Sequence, residues 1–369
     1  MIDPFAILHR AEKGEALSRE ALRTLLELRD PDGLRALFDC AYAVKTKHVG
    51  RVVYFRGLIE CGNVCAKNCR YCGIRRGNRQ VERFEMDEAE MVREALWAWE
   101  ADYGSCVIQA GERRDEAFAE KIERVLRRIA EATAGRMGIT ISLGEQSEET
   151  YRRWREAGAH RYLLRIETSN PELYAKIHPP DHRFEDRLEC LAALRRTGYQ
   201  VGTGTMMGLP GQTPEDLADD VLFLKRLDVD MVGMGPYIPH RDTPMGREIP
   251  LYSAERKRAA LGLALKMIAV TRIVLKDVNI AAATALQALE PDGREQALRC
   301  GANVVMPNLT ETEYRSKYSL YEGKPCTEEN SAACRGCLLR RIEAIGERVG
   351  FGRRGDAPHY RRRSGSERH

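Results

Sequence analysis

From Val52 onward the chain alternates between short runs rich in β-branched residues and longer stretches whose apolar residues recur every three or four positions. The short runs predict eight strands, near 53–59, 105–109, 138–143, 161–166, 200–206, 231–234, 278–282 and 303–306. The intervening periodicity predicts helices near 87–100, 115–133, 147–157, 183–197, 213–227, 253–273 and 293–300. A strict order of strand then helix argues for a parallel sheet with helical crossovers, and eight repeats argue for closure. The expected fold class is therefore α/β, a (β/α)8 TIM-type barrel. Before it, 19–28 and 31–44 read as helices, with Asp30 an N-cap ahead of Pro31. The expected organisation is a helical lead-in over 1–50, the barrel over 51–308, a Cys-containing extension over 309–350 ending in a helix to about Val349, and a basic, disordered tail over 351–369.

At 369 residues and 43% hydrophobic composition, the chain can bury the core of one large domain. No run of eighteen apolar residues occurs, and the first eighteen residues are too charged for a signal peptide, so the expectation is a cytoplasmic protein without a membrane segment. The net charge of +4 is modest, and its excess gathers in Arg353-Arg354 and Arg361-Arg362-Arg363. That pattern reads as a solvated tail rather than a nucleic-acid footprint, which needs basic residues spread along a face with aromatics between them.

Cysteine changes the picture more than charge does. Six of the eleven cysteines fall into two tight triplets, which points to metal in a reducing compartment and away from disulfides. Cys40, Cys61, Cys106, Cys190 and Cys300 are left as small buried hydrophobes. The first triplet, Cys65-x3-Cys69-x2-Cys72, lies on the loop after the first strand. A tetrahedral zinc site wants a fourth Cys or His, and none follows within thirty residues. Three thiolates with one open position suit a 4Fe-4S cluster whose fourth iron is free, although ligand softness alone allows either metal.

Barrel chemistry gathers at the C-terminal ends of strands. There the sequence places Gly111 and Glu112 after strand two, Glu145 after strand three, Arg165 and Glu167 closing strand four, Thr284 after strand seven and Met306 at the end of strand eight, with Arg187 on the helix after strand four. Two alternatives stay open: Arg165 and Glu167 form a plain ion pair, and Glu112 and Glu145 cap helices or stand behind the contact residues.

The triplet spacing, with Tyr71 before the last Cys, resembles the radical S-adenosylmethionine (radical SAM) superfamily. The stretches NVCAKNCRYCG (63–73), RYLLR (161–165), DMVG (230–233), CGANVVMPN (300–308) and YSLYEGK (318–324) are similar to the HydE family, radical SAM maturases of di-iron hydrogenase. The resemblance implies that Cys65, Cys69 and Cys72 hold the catalytic 4Fe-4S cluster and that Glu167, Arg187 and Tyr318 contact S-adenosylmethionine; from their places on the loops Tyr71, Gly111, which lets backbone approach closely, and Glu112 are expected around the same cofactor. It implies that Arg165, Thr284 and Met306 face the substrate. The second triplet, Cys326-x7-Cys334-x2-Cys337, matches the family's auxiliary-cluster pattern; with no fourth Cys, a labile 4Fe-4S cluster, a smaller cluster, an empty site and a structural zinc all stay open. One departure is Ile166, where the family is expected to carry His.

The activity implied is reductive cleavage of S-adenosylmethionine to a 5'-deoxyadenosyl radical that acts on a small organometallic substrate, a cysteine-bound iron carbonyl/cyanide complex. A monomer, a reduced ferredoxin or flavodoxin-like electron donor and transient contact with other maturases are implied as well. The rival readings are a biotin synthase or methylornithine synthase type of enzyme, and a non-catalytic zinc or nucleic-acid-binding protein.

Overall fold

The computed structural model describes residues 3–365. Seven strands lie side by side in chain order, all parallel: Gly57–Gly62, Ser105–Ala110, Gly138–Ser142, Arg161–Leu163, Gln200–Thr203, Met231–Val232 and Asn279–Ile280. The eighth, Val304–Val305, closes the ring. Asn303 N donates to Ile280 O at 2.9 Å on one side, and Arg56 N donates to Val305 O at 3.0 Å on the other, where Val52–Phe55 continues into the first barrel strand. The helices Glu88–Glu100, Glu116–Ala132, Glu148–Glu156, Phe184–Arg196, Pro214–Arg226, Ala254–Leu275 and Gly293–Arg299 wrap the outside.

Local chemistry fixes where these helices begin. Asp87, Asp115, Ser147, Thr213 and Ser253 each accept a hydrogen bond from a first-turn backbone N–H. Neither Glu112 nor Glu145 is a cap, so the capping alternative for those residues falls. Asp30 does cap Pro31–His48, accepting from Asp32 N and Gly33 N. With Pro4–Glu12 and Arg19–Leu26, that helix packs over Ala254–Leu275 and Pro214–Arg226, burying Leu22, Leu25 and Leu37.

Three predicted strands are broken in two. The run 200–206 is interrupted at Gly204, where any Cβ would lie 2.2 Å from Gly233 O. Pairing resumes beyond it as Met206–Met207 against Gly235–Pro236, which also splits 231–234, and the first run divides at Arg56.

The tail corrects an expectation. Residues 351–365 are folded across the N-terminal ends of the strands, and only the last four residues of that basic stretch lie outside the described residues. Asp356 Oδ1 accepts from Arg161 Nη2 at 2.7 Å and Gln200 Nε2 at 3.0 Å and lies 3.1 Å from His160 Nε2. Gly355 O accepts from Asn279 Nδ2 at 2.8 Å and Arg56 Nη2 at 3.2 Å. On the helix Pro358–Ser364, Arg363 reaches Asp230 at 2.8 Å, His359 reaches Asp228 at 2.7 Å, and Arg362 pairs with Asp277. Two of the arginines read as solvated, Arg362 and Arg363, find partners in aspartates far away in sequence. No helix among the described residues is long and apolar enough to cross a membrane.

Candidate active site

At the opposite end of the barrel, the Cys65–Cys72 loop is held by its neighbours through backbone hydrogen bonds. Ala66 N donates to Glu112 O (2.7 Å), Arg70 N to Ile177 O (2.9 Å), Gly73 N to Leu320 O (3.0 Å), and Met245 N to Arg70 O (3.1 Å). Tyr71 packs on a small apolar cluster of Leu173, Ile177, Met206, Leu209, Tyr237 and Met245, and its hydroxyl lies 3.3 Å from His178 Nε2. Gly111 is required for this closeness, since a Cβ there would sit 2.4 Å from Val64 O and 2.8 Å from Cys65 Cβ. Gly111 thus admits the chain's own cysteine loop.

A cavity of about 340 Å³ opens beneath the loop. Cys65, Cys69, Tyr71, Cys72, Gly111, Glu112, Arg165, Glu167, Arg187, Thr284, Met306, Tyr318, Cys326 and Cys334 all line it. Of the candidate residues Glu145 and Cys337 stand outside. Thr284 opens the short helix Thr284–Leu289 after the seventh strand. Ile166 is fully buried in the apolar core and does not line the cavity, so a polar side chain's absence there removes no cavity contact.

The three thiols of the first loop form no disulfide. Burial pushes Cys72 up to about 12 and Cys69 well above its ordinary value, Cys69 being raised further by Cys72 and Cys65. Burial raises Cys65 too, against backbone N–H groups of Lys67 and Glu112, the latter 3.3 Å from its sulfur. Clustered sulfurs that resist ionisation on their own, with amides aimed at one of them, fit a cationic iron-sulfur centre that would pay for their charge.

Polar groups on the facing wall are short of partners. Glu167 adopts φ 66°, a strained left-handed conformation for a non-glycine, pinned by Glu167 N donating to Gly204 O and Met206 N donating to Glu167 O. Arg165 Nη2 stands 2.7 Å from Glu167 Oε2, so the ion-pair alternative is realised, yet Glu167 Oε2, Arg165 Nε and Glu112 Oε1 are buried without an aligned hydrogen-bond partner. Glu112 Oε1 has Arg114 Nε at 3.3 Å and Lys67 Nζ at 3.6 Å as charged neighbours, so charge is balanced while hydrogen-bonding capacity stays open, which fits a ligand with amino, carboxylate and hydroxyl groups.

Arg187 lines the cavity and is also tied to protein partners. Its Nε donates to Glu145 at 2.8 Å, its Nη2 lies 2.6 Å from His182 Nε2, and its Nη1 donates to Arg165 O. Glu145 is the hub, also taking Arg114 at 2.6 Å and Lys67 at 3.1 Å. Burial works to raise its carboxyl, but His182 and Arg187 hold it well below the usual range. His182, missed in the sequence, lies with Nδ1 3.9 Å from Cys69 Sγ, so this network braces the thiol loop against the barrel. Also unforeseen is the buried pair of Lys324 with Glu60, at 2.6 Å, beneath Tyr318, whose hydroxyl accepts from Gln109 Nε2 at 3.1 Å.

At the second triplet, ligand atoms of Cys326, Cys334 and Glu329 lie within 4.8 Å of one another, and Cys337, one turn after Cys334, is not in that group. A hydrogen bond with Cys334 brings Cys326 down to about 6 and raises Cys334. Of the spare cysteines, Cys40, Cys61, Cys106 and Cys300 are buried and Cys190 partly so; Cys106, in the barrel wall, does not face the cavity.

Residues 59–274 match the family model described as Radical SAM superfamily. Over 345 residues the chain is 46% identical to the [FeFe] hydrogenase maturase subunit HydE of Thermotoga maritima, covering 93% of this chain and 95% of that one. It is 27% identical over 308 residues to a biotin synthase of Rippkaea orientalis, covering 80% and 79%. Among solved structures it resembles methylornithine synthase (PylB), with TM-score 0.78, 24% identity and coverage of 94% and 98%. It also resembles HydG, a maturase of the [FeFe]-hydrogenase, with TM-score 0.76, 20% identity and coverage of 94% and 75%; both structures bear on the fold alone.

Proposed function

The chain belongs to the radical SAM superfamily and, within it, to the HydE family, and from that membership we propose that it serves maturation of the di-iron hydrogenase active site through the cavity beneath the Cys65 loop. It is a radical SAM enzyme. Cys65, Cys69 and Cys72 would hold the 4Fe-4S cluster, and Cys326 and Cys334, with Glu329 beside them, would hold a second metal group, from which Cys337 stands apart. When bound, cluster and S-adenosylmethionine supply one-electron cleavage of the sulfonium C–S bond to methionine and a 5'-deoxyadenosyl radical.

The chain's own part is to bind, orient and exclude water. Glu167, held in its strained turn, accepts from the cofactor's amino or hydroxyl groups, and Tyr318 and Tyr71 supply apolar walls. Arg187 acts by fixing Glu145 and the Arg165 carbonyl, a positioning role at the wall of the cavity. Arg165, Thr284 and Met306 receive the substrate, an anionic cysteine-bound iron carbonyl/cyanide complex, whose charge the Arg165 guanidinium complements. The enzyme works as a cytoplasmic monomer, drawing electrons from a ferredoxin or flavodoxin-like carrier and handing its product to other maturases.

One observation carries this reading: a single cavity joins the three loop thiols to the under-partnered Arg165 and Glu167 and to Met306. The test is anaerobic reconstitution with iron and sulfide, then dithionite and S-adenosylmethionine. Wild type should release 5'-deoxyadenosine and Cys69→Ala should release none; continued release by the variant would end the proposal.

A further inference from the structure

Arginines on this surface are mostly neutralised: Arg70 pairs with Glu248, Arg113 with Glu85, Arg153 with Glu116, and Arg241 with Glu322. Arg75, Arg76, Arg79 and Arg247 differ. Among the described residues none of these four has a carboxylate within ion-pair distance, although Arg76, Arg79 and Arg247 are exposed. Arg75, Arg79 and Arg247 line a groove of about 290 Å³ whose single acidic member is Asp242, and Arg76 lies beside it on the same loop. Four positive charges face one negative, and no ion pair among the described residues offsets them, though Arg75 also donates to the carbonyls of Cys69 and Asn68.

The groove backs directly onto the thiol loop. Arg75 Nε donates to Cys69 O at 3.1 Å, Gly77 N to Asn68 Oδ1 at 2.9 Å, and Asn78 Nδ2 to Gly73 O at 2.7 Å. A partner seated there stands one layer of backbone from Cys69 and Cys72, on the far side from the substrate cavity. No aromatic side chain lines the groove, and binding of single-stranded nucleic acid relies on stacking platforms.

We propose that this groove docks an acidic electron-carrier protein, one whose carboxylates surround its own redox centre, and that the electron enters the Cys65–Cys72 loop from that side. The inference rests on the reading that this loop holds a redox-active cluster. The step is one electron: the reduced carrier is oxidised, the cluster is reduced, and no bond forms or breaks between them. Complementary charge raises the encounter rate and fixes orientation more than it adds affinity.

The test compares two reductants on the reconstituted holoprotein, dithionite and a reduced acidic flavodoxin, scoring 5'-deoxyadenosine at several salt concentrations. In the triple variant Arg76→Glu, Arg79→Glu, Arg247→Glu the flavodoxin-driven rate should fall about tenfold or more at low salt, the scale on which electrostatic steering acts. The deficit should shrink as salt screens the charges, and the dithionite-driven rate should match wild type. A flavodoxin-driven rate equal to wild type overturns the proposal, as does an equal loss with both reductants. So does a single-stranded oligonucleotide that binds the groove more tightly than flavodoxin. Wild type that forms no product even with dithionite overturns the cluster reading itself, and the docking proposal with it.

Discussion

Replacing Asp356 with Ala strands the Arg161 guanidinium in a place where water does not reach it. Arg161 is fully buried, and its charge is met by Asp356 Oδ1 at 2.7 Å, an oxygen that also serves His160 and Gln200. Removing one partner of a buried pair costs about 3–5 kcal/mol, because the remaining charge stays desolvated. Water can approach only from the side of Asp356, whose side chain is 19% exposed, while Gly355 stays bonded to Arg56 and Asn279. Asp356→Asn keeps the shape and one acceptor and should cost roughly half as much, near the 1.5–3 kcal/mol of a hydrogen bond to a charged group. Urea unfolding followed by circular dichroism, at matched iron content, measures both.

The pH dependence adds an independent check. Burial works to raise the Asp356 carboxyl, but Arg161 and His160 hold it well below the usual range. A depressed carboxylate contributes stability that is fully present above its unfolded pKa, about 3.9, and is lost as pH falls through its folded value. The gap between wild type and Asp356→Ala should therefore be flat from pH 5 to 8 and narrow only in acid. A loss at pH 7 under about 1 kcal/mol, the scale of an exposed pair, would refute the view that Arg161 depends on Asp356 as a buried partner.

Two other perturbations act on separate features. Asp220 is fully buried, accepts from Ser169 N at 2.6 Å through Oδ1, and leaves Oδ2 without a hydrogen-bond partner; burial raises its carboxyl to about 7. A raised carboxyl loses stability as pH climbs from its unfolded value through 7, so Asp220→Asn should stabilise the protein at pH 8 by a few kcal/mol, at about 1.4 kcal/mol per pH unit, and give no gain near pH 4. A gain independent of pH would contradict the assignment. Gly111→Ala forces a Cβ to within 2.4 Å of Val64 O, so it should keep the barrel's circular dichroism while lowering iron bound per chain after reconstitution; wild-type iron content would show that the thiol loop does not depend on that approach.

The barrel was legible because alternation is a local signal, and every helix predicted around it is present, with ends set by caps such as Asp115 and Ser147. The broken strands were not, because the break at Gly204 is imposed by the Gly233 backbone on the neighbouring strand. At the site, residues on the thiol loop and at strand ends could be named from position alone. What Arg187 does could not, since its partners Glu145 and His182 come from another loop and from the turn before its own helix. The tail misled for the same reason. A run of arginines looks solvated until the distant carboxylates of Asp228, Asp230 and Asp277 are brought beneath it.

That arrangement sets a timetable for biogenesis. Asp356 is translated 195 residues after Arg161, so a ribosome-bound intermediate holds most of the barrel's wall with its underside still hydrated. Folding at that stage is provisional, and the late arrival of one short segment converts it to the dry state. Mistranslation confined to residues 351–365 would therefore be felt throughout the domain, and a proteolytic cut there should loosen strands that the cut never touches.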